Sequence, residues 1–466
     1  MSDKTKAGFA LAVLFAINTM NFFDRQILGA VGELIRIDWN LSDTTLGTLG
    51  TAFTLIYAFV GLPLGRLADK SSRKIILAWG VFVWSALTAG SGLAQNFPQM
   101  FAMRLGVGIG EATCAPAANS LIGDLYPASK RAKALAVFMM GLPIGIALSF
   151  LVSGYVAKYY GWRAAFYVAG IPGVLCAIGA YLIKEPSRGT TESHNVGGLK
   201  REGTPSQRFL NTFLSPNVDR TIFGESPFWL VLSIPTMWWL ILSGALHNFN
   251  MYAIGSFLQS FLIRYHKLEV SDAGLISMVV YGLAGAPGLL LGGYLGDAAV
   301  KRKKNGRMVV STIALLLSAP FVYFALGRPP KELLGFTILM GLGVAAMYVY
   351  YSTVYSAIQD VIEPSLRGTA MAIYFFAMYV MGASFGPVGL GFLSDFSTKR
   401  AAVAAGVTDF SQQALGPFRA EGLHSAMYII PILGVLLTLV LFAASRTITK
   451  DMKKLEDWMK KSATEV

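Results

Sequence analysis

Apolar residues in this chain come in long runs, each closed by a short polar or charged stretch. Runs able to cross roughly 30 Å of hydrocarbon as helices cover 8–36, 44–66, 74–94, 97–125, 132–157 and 163–183. A second set covers 228–263, 270–297, 308–327, 332–361, 368–394 and 425–445. The pattern predicts an all-α membrane protein of twelve transmembrane helices, with two six-helix bundles at 1–183 and 227–446. Between them, 184–226 carries Pro186, Gly189, Gly197-Gly198 and Pro205. It is too polar and broken to form a core and is read as a cytoplasmic linker, with 208–214 patterned as a short surface helix. The first run is too long for a secretion signal, lacks a small-residue cleavage site and contains Asp24-Arg25. It is read as a retained helix.

Composition agrees with that pattern. Of 466 residues, 54% are hydrophobic and only 14% charged, with mean hydropathy +0.54, whereas a soluble chain carries about a quarter charged residues. A multidomain soluble enzyme is excluded. So is a disulfide scaffold, because Cys114 and Cys176 both fall in apolar runs. There is no phosphate-binding G-x-x-x-x-G-K-[ST] loop, and His194, His247, His266 and His424 have no metal-ligand spacing. No enzyme activity, metal or cofactor is expected.

The net charge of +13 is a topology signal. With a cytoplasmic N-terminus, 27 of the 39 Lys and Arg fall in cytoplasmic segments and 10 outside, leaving Arg25 and Arg104 within the membrane. This asymmetry places both termini in the cytoplasm, in the plasma membrane or, for a bacterium, the inner membrane. No nucleic-acid partner is expected. In the tail, 447–466, Ile448, Met452, Leu455 and Met459 recur at helical intervals among Lys450, Lys453, Lys454, Lys460 and Lys461. That spacing fits a basic amphipathic helix on anionic membrane lipids and, equally, a solvated tail helix.

The chain echoes itself at half its length. Gly65-Arg66-Leu67-Ala68-Asp69, followed by Lys70, Arg73 and Lys74, returns as Gly293-Tyr294-Leu295-Gly296-Asp297, followed by Lys301 and Arg302. Asp124…Pro127…Arg131 returns as Asp360…Pro364…Arg367. Two halves with repeated loop chemistry are the signature of a carrier that rocks one half against the other around a central site.

Ionisable residues inside a membrane are costly and are functional candidates by default. Asp24 and Arg25 lie in the first run, Arg104 and Glu111 in the fourth. Arg104 and Glu111 are two helical turns apart on one face, and Asp24 and Glu111 both lie about 21–22 Å from the cytoplasmic ends. Burial raises a carboxyl pKa and a neighbouring arginine lowers it. A carboxyl that gains and loses an arginine as the halves rock therefore binds and releases a proton; a permanent salt-bridge network is the other reading. Asn18, Asn21 and Arg25 form a polar stripe at i, i+3, i+7. The second half offers His247 and the stripe Tyr348, Tyr351, Tyr355. One polar wall and one aromatic wall suit a substrate with a polar head and an apolar body.

The G-x-L-A-D-K-x-x-R-K stretch at 65–74 resembles the signature loop of the major facilitator superfamily, with a degraded copy at 293–302. That resemblance implies a cavity lined by the first and fourth helices. It also implies a cytoplasmic latch, with Gly65 for close packing, Asp69 and Arg73 as its charges and Asp297 as the counterpart. Asn21-Phe22-Phe23-Asp24-Arg25 resembles an element of both the Spinster lipid transporters and the organic anion/cation symporters. Gly108-Ile109-Gly110-Glu111-Ala112, running on to Asp124-Leu125-Tyr126-Pro127, is closer to Spinster. The likeness implies lysophospholipid or sphingosine-phosphate export, with Asp24, Arg104 and Glu111 coupling protons and Arg25 meeting the head group. A proton symporter of small organic anions such as sugar acids, or a non-transporting solute sensor, are the competing expectations. A monomer is expected.

Overall fold

The computed structural model describes residues 3–186, 227–363 and 366–464. The proposed linker, with its possible helix at 208–214, lies outside the described residues beyond Pro186. The first half holds α1 (Asp3–Asp38), α2 (Asp43–Lys70), α3 (Arg73–Ser91), α4 (Phe97–Glu111), α5 (Cys114–Leu125), α6 (Ala128–Met139), α7 (Gly141–Tyr160) and α8 (Trp162–Leu182). The second half holds α9 (Pro227–Leu232), α10 (Pro235–Arg264), α11 (Val270–Ser277), α12 (Gly285–Val300), α13 (Gly306–Leu326), α14 (Leu333–Asp360), α15 (Arg367–Ala377), α16 (Phe385–Ala404), α17 (Arg419–Met427) and α18 (Ile429–Thr464). Six-residue π-helical turns, Met278–Leu283 and Met378–Ala383, join α11 to α12 and α15 to α16.

Among the described residues, ten helical stretches are long and apolar enough to cross a membrane. Two more segments occupy the places of the expected fourth and seventh crossings. The fourth, α4–α5, is interrupted, and the seventh, α10, is diluted by His247, Asn248, Asn250 and Gln259. Large apolar side chains such as Trp79, Tyr160, Leu290 and Leu334 point outward and exposed, as a lipid-facing surface requires.

Proline explains where helices break. A helical proline has no N–H and its ring crowds the carbonyl four residues earlier. Pro116 follows the Ala112–Thr113 break, Pro143 the Met140 break, and Pro287 and Pro387 follow the two π turns. At the first break the Thr113 hydroxyl satisfies the Gly110 carbonyl at 2.8 Å. Pro63, Pro172 and Pro320 sit in helices that stay continuous. The four interrupted crossings all border the central cavity.

The halves meet chiefly through α1 against α10, α2 against α16, and α7 against α11 and its π turn. At the face carrying the described termini, each half has an arginine clamp. Arg73 bonds the Glu185 carboxylate at 3.0 Å and the Ser120 hydroxyl at 3.0 Å, and pairs with Asp124. Arg307 bonds Asp297 at 2.8 Å and pairs with Asp360. Thus Arg73, expected in a latch between halves, is engaged inside its own half. The side chains of Gly65 and Asp69 lie outside the described residues.

The tail is no separate element. Helix α18 runs unbroken from Ile429 to Thr464, with Ile448 and Leu455 buried against protein. Asp451 accepts from the Thr236 N–H at 3.0 Å and its hydroxyl at 2.6 Å, capping the start of α10, and Lys304 holds Glu456 at 2.7 Å. The apolar positions read as a membrane-facing stripe therefore pack inward here; Met459 lies outside the described side chains.

Gly80 of α3 packs on the α4–α5 break. A Cβ there would lie 2.0 Å from the Thr113 hydroxyl oxygen. Gly80→Val should cost about 1–3 kcal/mol by overpacking, read as a lowered Tm in detergent; an unchanged Tm would show that the break yields freely. Burial alone would raise the Glu185 pKa, but the Ser72 hydroxyl and Arg73 hold it below the usual glutamate range. Its stabilisation is therefore full above the ordinary glutamate pKa and fades as the pH falls through the lowered value. Acidification should lower Tm less in Glu185→Gln than in the native chain; parallel acid profiles would contradict this.

Candidate functional site: a central cavity closed at one face

A cavity of about 750 Å³ lies between the halves and reaches Gly61, Asp297, Arg307 and Gln359 at the termini-bearing face. The opposite face is sealed by buried charges. Arg264 of α10 bonds Glu33 of α1 at 2.5 and 2.8 Å and forks onto the Asp43 carboxylate of α2 with two 2.7 Å bonds. Arg36 holds the second Glu33 oxygen at 2.8 Å, and Arg419 lies 3.6 Å from Asp43 and 3.8 Å from Asp395. Three acids thus face three bases, which keeps the buried cluster neutral. Removing Glu33, Asp43 or Arg264, all three buried and directly paired, would strand a charge, at about 3–5 kcal/mol.

Arg25 is the hinge of the site. Its Nε donates to Glu111 Oε2 at 2.9 Å and its Nη1 to the Tyr379 hydroxyl at 3.2 Å. The guanidinium lies over the Tyr57 ring at 4.4 Å, with Phe22 and Phe53 at 5.1 and 5.5 Å. One cation thereby links α1 and α4 to the π turn of the other half. That turn carries Tyr379 beside Tyr57, with ring centroids 5.1 Å apart. Arg25 also separates two spaces. It lines the large cavity and, on the sealed side, a pocket of about 40 Å³ shared with Asp24, Arg104, Gln26, Thr54 and Ser256. That pocket has room for roughly one or two waters.

The expected cluster is assembled with different partners. Asp24 is buried and accepts only a 3.3 Å bond from Thr88, leaving Oδ1 without a partner. Arg104 bonds Ser91 at 3.1 Å and faces the Phe166 ring at 5.5 Å, with its Nε unpartnered. Asp24, Arg104 and Glu111 interact through space, yet the ion-pair partner of Glu111 is Arg25. Adjacent residues on a helix point about 100° apart, so when Arg25 faces Glu111, Asp24 turns toward α3.

Asn18 and Asn21 line the cavity; Asn18 also bonds the Phe138 carbonyl at 2.8 Å, and Asn21 lies beside Glu111. Tyr348, Tyr351 and Tyr355 line the facing wall and bond Tyr281 O, Asn248 and the Met378 sulfur. His247 stands apart from the lining. It is fully buried, stacked on Tyr350 at 4.0 Å and edge-on to Tyr351 at 4.8 Å, with both ring nitrogens unpartnered. Sequence reasoning missed Tyr57, Tyr252, Tyr281 and Tyr379. The repeated spacing Met-x-Val-x-Gly-x-x-x-x-Pro at 278–287 and 378–387 was the available signal for the last two.

Comparison with known proteins follows the same lines. The model of the Major Facilitator Superfamily matches residues 14–387 and 240–457. "Protein spinster" of Drosophila melanogaster is 28% identical over 391 residues, 83% of this chain and 62% of that protein. A "Probable L-galactonate transporter" of Escherichia coli (strain K12) is 27% identical over 391 residues, 83% of each. The crystal structure of a bacterial homologue of the human lysosomal transporter Spinster, inward-facing and unoccupied, superposes with TM-score 0.79 at 26% identity, covering 97% of this chain and 99% of that one. With a family match spanning both halves and the fold to go with it, the chain belongs to the Major Facilitator Superfamily of membrane transporters, with Spinster proteins among its relatives.

Proposed function

We propose that this transporter moves lysophospholipid-like or sphingosine-phosphate-like amphipaths by alternating access, driven by protons. The observation that carries the reading is the position of Arg25, a buried cation at the closed end of a long cavity whose far wall is aromatic. A volume of about 750 Å³ lies high in the range of small-molecule sites, roughly 300–1,000 Å³. An anionic head group fits Arg25, and an apolar chain fits the wall of Tyr281, Tyr348, Tyr351, Tyr355, Phe375 and Met378. The basic residues of the termini-bearing face support a cytoplasmic orientation, in which the cavity opens inward.

The proton step follows from electrostatics. A phosphate that takes the Arg25 guanidinium leaves Glu111 a buried carboxylate without its counter-charge, and such a group takes up a proton. Anion and proton therefore bind together. Asp24, with one free carboxylate oxygen in the small pocket, is the second carrier, steered by Arg104. This makes Asp24, Arg104 and Glu111 the coupling set and Arg25 the switch between substrate and proton.

A second reading, symport of a small organic anion, is favoured by the same guanidinium, which suits a carboxylate, and by the likeness to the galactonate transporter. The extended aromatic wall would then have no partner on a sugar acid. In proteoliposomes, an imposed pH gradient should drive labelled lysophospholipid and not galactonate; the reverse would install the second reading. Asp24→Asn should abolish gradient-driven flux while retaining binding, and flux surviving in that variant would contradict the proton assignment. Absence of flux for every solute, with binding intact, would mark a sensor. Arg25→Gln should weaken lysophosphate binding at least tenfold and Tyr379→Phe by less, in direct titration; equal affinities would place the head group elsewhere.

A further inference from the structure

The five-residue spacing Gly-x-Leu-x-Asp occurs once more, as Gly391-Phe392-Leu393-Ser394-Asp395 in α16. The copies at 65–69 and 293–297 end at the termini-bearing face; this one ends at the sealed face. Its aspartate crosses to the other half and caps α2. Asp395 Oδ1 accepts from the Asp43 N–H at 3.0 Å, and Oδ2 from the Thr44 N–H at 2.8 Å and the Thr44 hydroxyl at 2.6 Å. These are among the orphan donors of a helix start. The chain's own cap, Ser42, serves only Thr45, at 3.1 Å. A carboxylate at that position also meets the positive end of the α2 dipole.

The other motif positions act on the same spot. Gly391, Ser394 and Asp395 lie at i, i+3 and i+4, on one helix face. A Cβ on Gly391 would sit 2.3 Å from the Asp43 carbonyl oxygen, so only glycine lets α16 approach this closely. The Ser394 hydroxyl donates to Asp43 Oδ2 at 2.6 Å, the same oxygen that takes Arg264 Nη1. One motif thus bonds the first residue of α2 through its backbone N–H and carboxylate and packs closely on its carbonyl.

We propose that Gly391–Asp395 is a latch that holds the sealed face shut by capping α2 in trans, and that it lets go as a unit when that face opens. The cap ties α2 of one half to α16 of the other, so it exists only while the two ends are together. It sets the balance between the two access states. It requires alternating access, as in other members of the superfamily, but neither the substrate nor the proton step assigned above.

The test uses the full chain with Cys114 and Cys176 replaced by alanine and spin labels on Ile37→Cys and Thr408→Cys, both at the sealed face and in opposite halves. Pulsed dipolar spectroscopy reports the distance between them. The native latch should give a dominant short distance. Asp395→Ala should raise the ratio of long to short distances about tenfold, the worth of a lost charged cap, and Thr44→Val should shift it the same way by less. An unchanged distribution in a folded Asp395→Ala chain would overturn the latch. Should that variant fail to fold, an unchanged distribution in Thr44→Val, which keeps the side-chain shape, would overturn it as well.

Discussion

A guanidinium cannot shed its charge inside a membrane, and the site is built around that fact. Arg25 stays protonated at any working pH, so in every state it must find an acceptor. In the present state it finds the Glu111 carboxylate, the Tyr379 hydroxyl and the face of Tyr57. Whatever displaces these partners must bring acceptors of its own, and an anion does so best. That single requirement gives the two halves a shared contact at the centre of the protein, and on the function proposed above it favours an anionic substrate and ties its binding to a titratable carboxyl.

The two ends of the molecule are handled by different physics. At the open face each arginine clamp, Arg73 or Arg307, is satisfied within its own half, so the halves part there without stranding a charge. At the sealed face the partners belong to opposite halves: Arg264 with Glu33 and Asp43, and Asp395 with the start of α2. Opening that face requires each of those groups to be rehydrated or paired anew. The structure is therefore biased toward the end that is cheap to part.

Much of this was legible in the chain. Apolar run length located the helices, most of their ends to within a few residues, because hydrocarbon leaves such a run only its own backbone to bond; the last two continue past their runs, to Ala404 and Thr464. Asp24, Arg25, Arg104 and Glu111 stood out because charge in a membrane run is rare. Their pairing did not. Two-turn spacing put Arg104 and Glu111 on one face, but the rotation of α1 about its axis, which spacing does not encode, gave Glu111 to Arg25. Tyr379 was missed because a π turn shifts the register by one residue, and the aromatic stripe counted for α14 has no such simple period through α15 and its π turn. His247 was drawn to the cavity by its polarity alone; packing against Tyr350 and Tyr351 put it behind the wall.

The central claim is that substrate and proton binding are coupled through Arg25, the anion taking the arginine and Glu111 taking a proton. The most direct check is the pH change when a lysophosphate is added to the purified protein in weakly buffered detergent solution. The native chain should take up protons as substrate binds, and Glu111→Gln should bind with markedly less uptake. Binding without proton uptake in the native chain, or equal uptake in Glu111→Gln, would contradict the account.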